Sequence, residues 1–191
     1  MHRRTISQQQ GLMPPFGYYG GKRDIAAVVW DRFGDVSNYV EPFAGGLAVL
    51  LGRPNVKGAE TVNDLNCFIA NFWRAVKFDP KCVYRYLDYP NSHVDLISRH
   101  NWLVDRKSEL AIKITKDPDY FDAKIAGWWV WGISVWPGGG WCDRKNSSNG
   151  TRLRKPRFGV HANQGVQSIK FTMDSINMLS CRLRRVTTLM L

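Results

Sequence analysis

The sequence predicts an α/β fold in which a mainly parallel sheet is followed by a long section of helices. Two short apolar segments, around Tyr39 and around Val62, have the length of strands, and each is followed by a segment with helical spacing of its apolar residues. This strand, helix, strand, helix order favours parallel strands, because a crossover helix returns the chain to the same end of the sheet. Beyond Asp79 and Pro80 the pattern becomes helical and rich in aromatic residues.

The first part of the chain contains a tail, a helix and a strand that ends in a glycine turn. Residues 1–13 are polar and predict a loose tail. A first amphipathic helix is predicted over residues 22–33, and its apolar positions are Ile25, Val28, Val29 and Phe33. A strand at residues 39–40 leads into the turn Glu-Pro-Phe-Ala-Gly-Gly at 41–46, and an apolar helix over 47–51 follows.

A second strand and helix repeat this arrangement. The strand is predicted around residues 60–62 and ends at Asn63 and Asp64. The helix after it is predicted to bury one apolar face, formed by Leu65, Phe68, Ile69, Phe72 and Val76.

The rest of the chain is predicted to be helical, apart from a basic loop. Helices are expected over 83–87, 94–103 and 125–136, and the tryptophans of the last one are expected to pack in the core: Trp128, Trp129, Trp131 and Trp136. Residues 137–165 form the basic loop, in which Asn149 and Gly150 indicate a hairpin turn. A last helix is predicted to begin at Thr172 as N-cap, with Ile176, Leu179 and Leu183 facing inward and with Arg182, Arg184 and Arg185 near its C-terminal end.

The charge of the chain indicates a polyanionic partner. Lys and Arg number 27 against 16 Asp and Glu, a formal net charge of +11. Nucleic acid is the first expectation, ahead of an anionic membrane surface. No apolar run is long enough to span a bilayer, and the N-terminus has no apolar signal core, so a soluble cytoplasmic protein is expected. The four cysteines have no metal-site spacing, and no metal ligands are assigned.

The glycine turn and the acid after the second strand indicate a nucleoside ligand. Gly45 lies at the end of the first predicted strand, and Asp64 follows the second strand 19 positions later. A glycine turn lets the backbone approach a ligand, and an acid at the next strand end can accept hydrogen bonds from ribose hydroxyls. The turn lacks the G-x-G-x-x-G spacing of pyrophosphate sites, which favours a ligand with a ribose and no phosphate.

Three segments in order resemble one enzyme family. Residues 18–22, Tyr-Tyr-Gly-Gly-Lys, resemble an aromatic-x-Gly-Gly-Lys motif; residues 41–46 resemble an acid-Pro-Phe-x-Gly loop; and residues 63–66, Asn-Asp-Leu-Asn, resemble an Asp-x-Asn motif. Together they are similar to the D12 class of DNA adenine methyltransferases, which transfer a methyl group from S-adenosyl-L-methionine (SAM) to the N6 amine of adenine. The resemblance implies a partial Rossmann-like methyltransferase sheet with an inserted, mainly helical target recognition lobe.

The resemblance also implies boundaries and cofactor residues. It places the SAM-binding half of the core at 14–80, the target recognition region at 81–170 and a helix that returns to the core at 171–191. The residues implied for SAM binding are Tyr18, Lys22, Glu41, Phe43, Gly45 and Asp64. The structural alternatives are a solvated helix start for Lys22, a core position for Phe43 and a helix N-cap for Asp64. Leu47 departs from members of the family that have glycine there.

The basic loop is the expected site of contact with double-stranded DNA. Its six cations lie among Gly, Ser and Asn residues that suit a hairpin tip in a groove; they are Arg144, Lys145, Arg152, Arg154, Lys155 and Arg157. The alternative for this segment is a plain solvated loop.

The catalytic motif of the family, Asp-Pro-Pro-Tyr, does not occur in the sequence. The nearest segment, Asp-Pro-Asp-Tyr at 117–120, is predicted to be a helix-entry turn, so no catalytic residue is assigned. The family's catalytic strand is expected shortly after Arg185, and the last five residues match nothing expected there, which suggests truncation. The first strand would then leave an apolar sheet edge exposed. Two hypotheses follow: an inactive fragment that a complementing polypeptide or self-association through this edge completes, or a non-catalytic DNA-binding module with a vestigial SAM pocket.

Overall fold

A computed structural model describes residues 12–18, 20–87, 92–136, 140–142 and 172–190 of the protein. In these ranges the elements are, in chain order, α1 (Ala26–Phe33), β1 (Asn38–Glu41), α2 (Ala48–Leu51), β2 (Ala59–Asn63), α3 (Cys67–Phe78), α4 (Pro80–Arg85), α5 (His93–Lys116), α6 (Ala123–Val135), α7 (Met173–Leu183) and β3 (Thr188–Met190). The predicted basic loop and its hairpin turn lie outside the described residues.

The three described strands form one parallel sheet in the order β1-β2-β3. In the register, Tyr39 lies beside Glu60, and Thr61 lies beside Thr188. The prediction of a parallel α/β sheet is therefore confirmed for this part of the chain. A strand at the end of the chain was not predicted: β3 extends the sheet on the β2 side, and just before it the Thr187 N–H donates to the carbonyl of Glu60 at 2.9 Å.

Strand β1 lies at an edge of the sheet as described, and the sheet is buried on one face. Tyr39 and Glu41 point into the core, whereas the side chain of Val40 between them is 53% exposed. Strand β2 alternates in the same way, with Glu60 and Val62 buried. Parallel sheets are usually covered on both faces. The open face of the sheet and the free edge of β1 are thus surfaces that another segment or a second polypeptide could cover.

Helix α1 buries a different face from the one predicted. Ala26 and Trp30 are its buried residues, whereas Ile25, Val28 and Phe33 are each more than half exposed. The reason is Trp30, whose ring lies 4.8 Å from that of Tyr39 and whose indole N–H donates to the carbonyl of Val49 at 2.7 Å. One tryptophan with a hydrogen-bond partner outweighs three smaller apolar side chains in orienting the helix.

Helix α3 is the central element of the core. Every residue from Phe68 to Val76 is buried, and the helix packs against α5, α6 and α7. Its N-cap is Asn66, whose side chain accepts a hydrogen bond from the Phe68 N–H at 3.0 Å. Trp129 and Trp131 of α6 are fully buried as predicted, and Trp129 is stacked on Phe68. The helical section therefore shares one hydrophobic core with the helices next to the sheet.

The Asp-Pro-Asp-Tyr segment is the turn between α5 and α6. Asp117 is the C-cap of α5, and Asp122 is the N-cap of α6, so the segment ends one helix and does not itself begin the next. The buried guanidinium of Arg74 donates to the carbonyls of Asp117 and Tyr120 at 2.9 and 3.1 Å. These contacts give the turn a structural function.

Helix α7 begins at the predicted N-cap, Thr172, which forms a capping box with Ser175. Ile176, Leu179 and Leu183 are buried, as predicted. Arg182 lies in the last turn of the helix, as predicted, but its side chain is 8% exposed and forms a bidentate ion pair with Glu60 of β2. No helix in the described ranges is long and apolar enough to cross a membrane.

Candidate functional site

Two loops meet at the carboxyl ends of β1 and β2. The first loop covers residues 42–47, and the second covers residues 64–66. The Gly45 N–H donates to the Asp64 carboxylate at 2.9 Å, and the Asn66 N–H donates to the other oxygen of Asp64 at the same distance. The Ala44 N–H also donates to the carbonyl of Asn63 at 2.8 Å. Because adjacent parallel strands end at one edge of a sheet, residues 19 positions apart in sequence become direct neighbours.

The conformation of the first loop favours glycine at position 45. Gly45 has φ +47°, and a Cβ atom there would lie 3.1 Å from the ring of Tyr18. The Gly45 carbonyl accepts a hydrogen bond from the buried indole N–H of Trp73 at 2.8 Å. Leu47 is also left-handed, with φ 55°, although it has a side chain. At Leu47 the chain thus has a fully buried side chain on a left-handed backbone position that glycine would adopt with less strain.

A tight turn brings the N-terminal aromatic residue to this loop. The Gly21 N–H donates to the carbonyl of Tyr18 at 2.9 Å, and Gly20 between them has φ +74°. Phe16 anchors the segment in the core, where its ring makes an edge contact with Phe72 at 5.4 Å. Glycine at position 20 therefore lets the chain turn while Tyr18 remains against the first loop.

Glu41 is a buried carboxyl at the end of β1. It accepts hydrogen bonds from the Leu50 N–H and from the hydroxyl of Tyr39, both at 3.2 Å. Burial raises its pKa from the ordinary value of 4.5 to about 6, against the opposing effects of the Leu50 N–H, the charge of Lys22 and the Tyr39 hydroxyl. The structure thus places Lys22 in the electrostatic environment of Glu41.

Two large apolar side chains are exposed beside the contact between the loops. Phe43 is 73% exposed in the first loop, and Leu65 is 90% exposed in the second. The prediction that Leu65 belongs to the apolar face of α3 was wrong, because Leu65 precedes the N-cap residue Asn66 and lies outside the helix. Apolar surface of this kind is suited to contact with a ligand.

The structural alternatives for three of the predicted residues do not hold. Asp64 is not the N-cap of α3, a position that Asn66 occupies. Phe43 is not a core residue. Lys22 lies four residues before α1 begins and is half-buried.

Sequence reasoning missed Leu65 and Trp73 at this site. The position of Leu65 between an acid and an Asn with N-cap propensity was an available signal that the helix begins later. For Trp73 the signal is weaker: a buried tryptophan needs an acceptor for its N–H, but the sequence does not identify the acceptor as Gly45. The six cations predicted to bind DNA, residues 144–157, lie outside the described residues.

The arrangement suits a neutral polar ligand such as a ribose. Each oxygen of Asp64 accepts one backbone N–H and retains acceptor capacity for a hydroxyl group. The Gly45 N–H is already bound by a carboxylate, whose negative charge disfavours a phosphate at the same point. Of the six residues predicted to bind the cofactor, Gly45 and Asp64 are joined by a hydrogen bond. Phe43 lies in the first loop with Gly45, and Tyr18 packs on Gly45. Lys22 and Glu41 interact electrostatically.

The comparison with protein families identifies the chain. The family described as D12 class N6 adenine-specific DNA methyltransferase matches residues 18–117, a range that includes both loops and the helices from α1 to α5. A comparison with curated proteins gives no match. Because the matched range covers more than half of the 191 residues, the chain belongs to the D12 class N6 adenine-specific DNA methyltransferase family.

Proposed function

We propose that the chain binds SAM at the edge where β1 and β2 end, and binds double-stranded DNA in which adenine is the target of methylation. The observation that supports the cofactor site is the hydrogen bond between Gly45 and Asp64, which joins the glycine loop to the acid expected to hold a ribose. The proposal agrees with membership of a family of DNA adenine methyltransferases.

The residues at the site fit the parts of SAM. The carboxylate of Asp64 would accept hydrogen bonds from the ribose hydroxyls, and Phe43 and Leu65 would cover apolar surface of the adenine. Lys22 and Glu41 would contribute one charge of each sign for the amino-acid end of the cofactor. Tyr18 and Gly45 would shape the wall between them. SAM supplies an electrophilic methyl group on its sulfonium.

We assign contact with DNA to the basic loop, residues 137–165. We place the SAM-binding half of the core at 14–80, the target recognition region at 81–170 and the returning helix at 171–191. The cations between Arg144 and Arg157 would bind phosphates and base edges, as the net charge of +11 favours.

Catalysis requires residues that this sequence does not contain. An adenine amine that is flipped out of the duplex must be held at the methyl donor, and the Asp-Pro-Pro-Tyr motif that holds it in the family is absent from the 191 residues. The polypeptide on its own is therefore proposed to be inactive. A complementing polypeptide, or a second copy, would add to the sheet at the free edge of β1, beside the exposed Val40. The absent motif also favours a second candidate, a non-catalytic DNA-binding module with a vestigial SAM pocket.

Calorimetric titration with SAM and a tritium-transfer assay on mixed-sequence duplex DNA test the proposal together. Binding of SAM without methyl transfer is the expected result. A chain that binds DNA but not SAM would support the non-catalytic module. Methyl transfer that is lost on Asp117→Ala would instead make the turn at residues 117–120 the catalytic motif and overturn the proposed inactivity.

A further inference from the structure

Both backbone polar atoms of Gly45 are held by hydrogen bonds. Its N–H donates to Asp64 at 2.9 Å, and its carbonyl accepts the indole N–H of Trp73 at 2.8 Å. The two partners belong to the segment that follows β2, one in the second loop and the other in the next helix, α3. We propose that Trp73 is a positioning residue for the SAM site: through the Gly45 carbonyl it fixes the first loop in the conformation that presents Gly45 and Asp64 to the cofactor. This inference rests on the proposed function.

The geometry of Trp73 explains why the hydrogen bond constrains the loop. The side chain is 1% exposed, and its ring packs on Phe72 with centroids 4.9 Å apart, so the indole is fixed in the core. If the Gly45 carbonyl rotated away, the buried N–H would lose its partner, and water does not reach it to substitute. The orientation of the Gly45 carbonyl is thereby tied to α3, in which every residue from Phe68 to Val76 is buried.

The loop needs such a constraint because its backbone is unusual. Gly45 has φ +47° and Leu47 has φ 55°, so two of three consecutive residues are left-handed. Glycine itself does not restrict the backbone to this conformation. Tyr18 packs on one side of Gly45 but makes no hydrogen bond with it. Asp64 and Trp73, in contrast, fix the N–H and the carbonyl of Gly45, which belong to the two peptide groups on either side of its Cα.

Trp30 provides a matched control for the test. It is also a buried tryptophan, 5% exposed, and its indole N–H donates to a backbone carbonyl, that of Val49 at 2.7 Å. Val49 lies in α2, outside the first loop. Trp73→Phe and Trp30→Phe therefore remove the same volume and the same kind of hydrogen bond, but only the first change acts on Gly45.

The test compares the dissociation constant for SAM, measured by calorimetry, and the hydrogen exchange rate of the Gly45 amide, measured by NMR without ligand. For Trp73→Phe we expect about a tenfold rise in the constant and faster exchange, whereas Trp30→Phe changes each by less than about twofold. Where Trp73→Phe does not fold, 3-benzothienylalanine at position 73, which replaces the N–H with sulfur at similar volume, takes its place.

The outcomes separate the inference from the proposed function. Equal SAM affinity and equal exchange in wild type and the Trp73 variant overturn the positioning role and leave the SAM site standing. A wild-type chain that does not bind SAM removes the proposed function and, with it, the role of Trp73 in binding. Equal loss of SAM affinity in both tryptophan variants shows a general packing effect and also overturns the inference.

Discussion

The carboxylate of Asp64 accepts the backbone N–H of Gly45 across the ends of two parallel strands, at 2.9 Å. The same carboxylate accepts the Asn66 N–H, which lies just before α3. Asp64 thus connects the glycine loop, the second loop and the start of the central helix. A residue expected to bind a ribose also maintains the shape of the loop beside it, so its substitution should affect the site in two ways.

We first predict that Asp64→Ala weakens SAM binding by about 1 to 3 kcal/mol, because it removes the acceptor for the ribose and for the Gly45 N–H. Asp64→Asn should have a smaller effect, since its amide oxygen still accepts one of the N–H groups. Calorimetric titration of both variants measures this. Asp119→Asn, a change at an exposed acid in the turn after α5, is the control and should leave SAM affinity unchanged. Unchanged affinity in Asp64→Ala would remove Asp64 from the site.

The buried carboxyl of Glu41 predicts a pH dependence of stability. Its pKa is about 6 in the folded chain against 4.5 ordinarily, so between these values the folded state holds more protons than the unfolded state. The free energy of unfolding should therefore fall as pH rises through this window, by about 2 kcal/mol from Glu41. Urea denaturation of wild type and Glu41→Gln from pH 4 to pH 7 isolates the contribution as a difference. A difference that does not vary with pH contradicts the prediction.

The buried ion pairs of Glu60 predict an unequal effect of removing each partner. Glu60 binds Arg53 at 2.9 Å and Arg182 at 2.5 Å, and all three side chains are buried. Glu60→Gln leaves two buried cations without their anion and should cost about 3 to 5 kcal/mol of stability. Arg182→Met leaves Glu60 paired with Arg53 alone and should lower the free energy of unfolding by a smaller amount.

Chemical denaturation measures both changes. Lys113→Met, which breaks the exposed pair with Glu109, serves as the control and should leave stability nearly unchanged. An equal cost for Glu60→Gln and Arg182→Met would show that the three side chains do not act as a unit.

The sequence was sufficient to predict the elements that depend on local pattern. The order of strands and helices, the N-cap at Thr172 and the neighbouring positions of Gly45 and Asp64 all follow from short-range signals and from the topology of parallel strands. The strand Thr188–Met190 was missed because three residues carry too little pattern to indicate a strand.

The remaining differences depend on partners that are distant in sequence. The position of Arg182 in the last turn of a helix does not indicate that its side chain is buried, because its partner Glu60 lies 122 positions away in the sequence. Likewise, the orientation of α1 is decided by contacts of Trp30 with Tyr39 and Val49, which periodicity alone does not reveal. Long-range packing, and not local propensity, determines these features.

The basic segment predicts a DNA affinity that depends steeply on salt. Each phosphate contact adds about 0.9 to the negative slope of log affinity against log salt concentration. Replacing Arg152, Arg154 and Lys155 together by Ala should weaken binding to duplex DNA and reduce the slope by up to roughly three such contacts. Fluorescence anisotropy with a labelled duplex at several salt concentrations measures both quantities.

A matched control for this prediction removes three cations elsewhere. Arg23, Arg32 and Lys57 are exposed cations outside the basic segment, and changing them to Ala lowers the net charge by the same amount. If the charge acted only through the overall field of the protein, both triple variants would lose affinity and slope equally. A larger loss for the basic segment locates the phosphate contacts there. An unchanged slope in that variant would assign DNA binding to other cations, because counterion release requires that the replaced side chains contact phosphates directly.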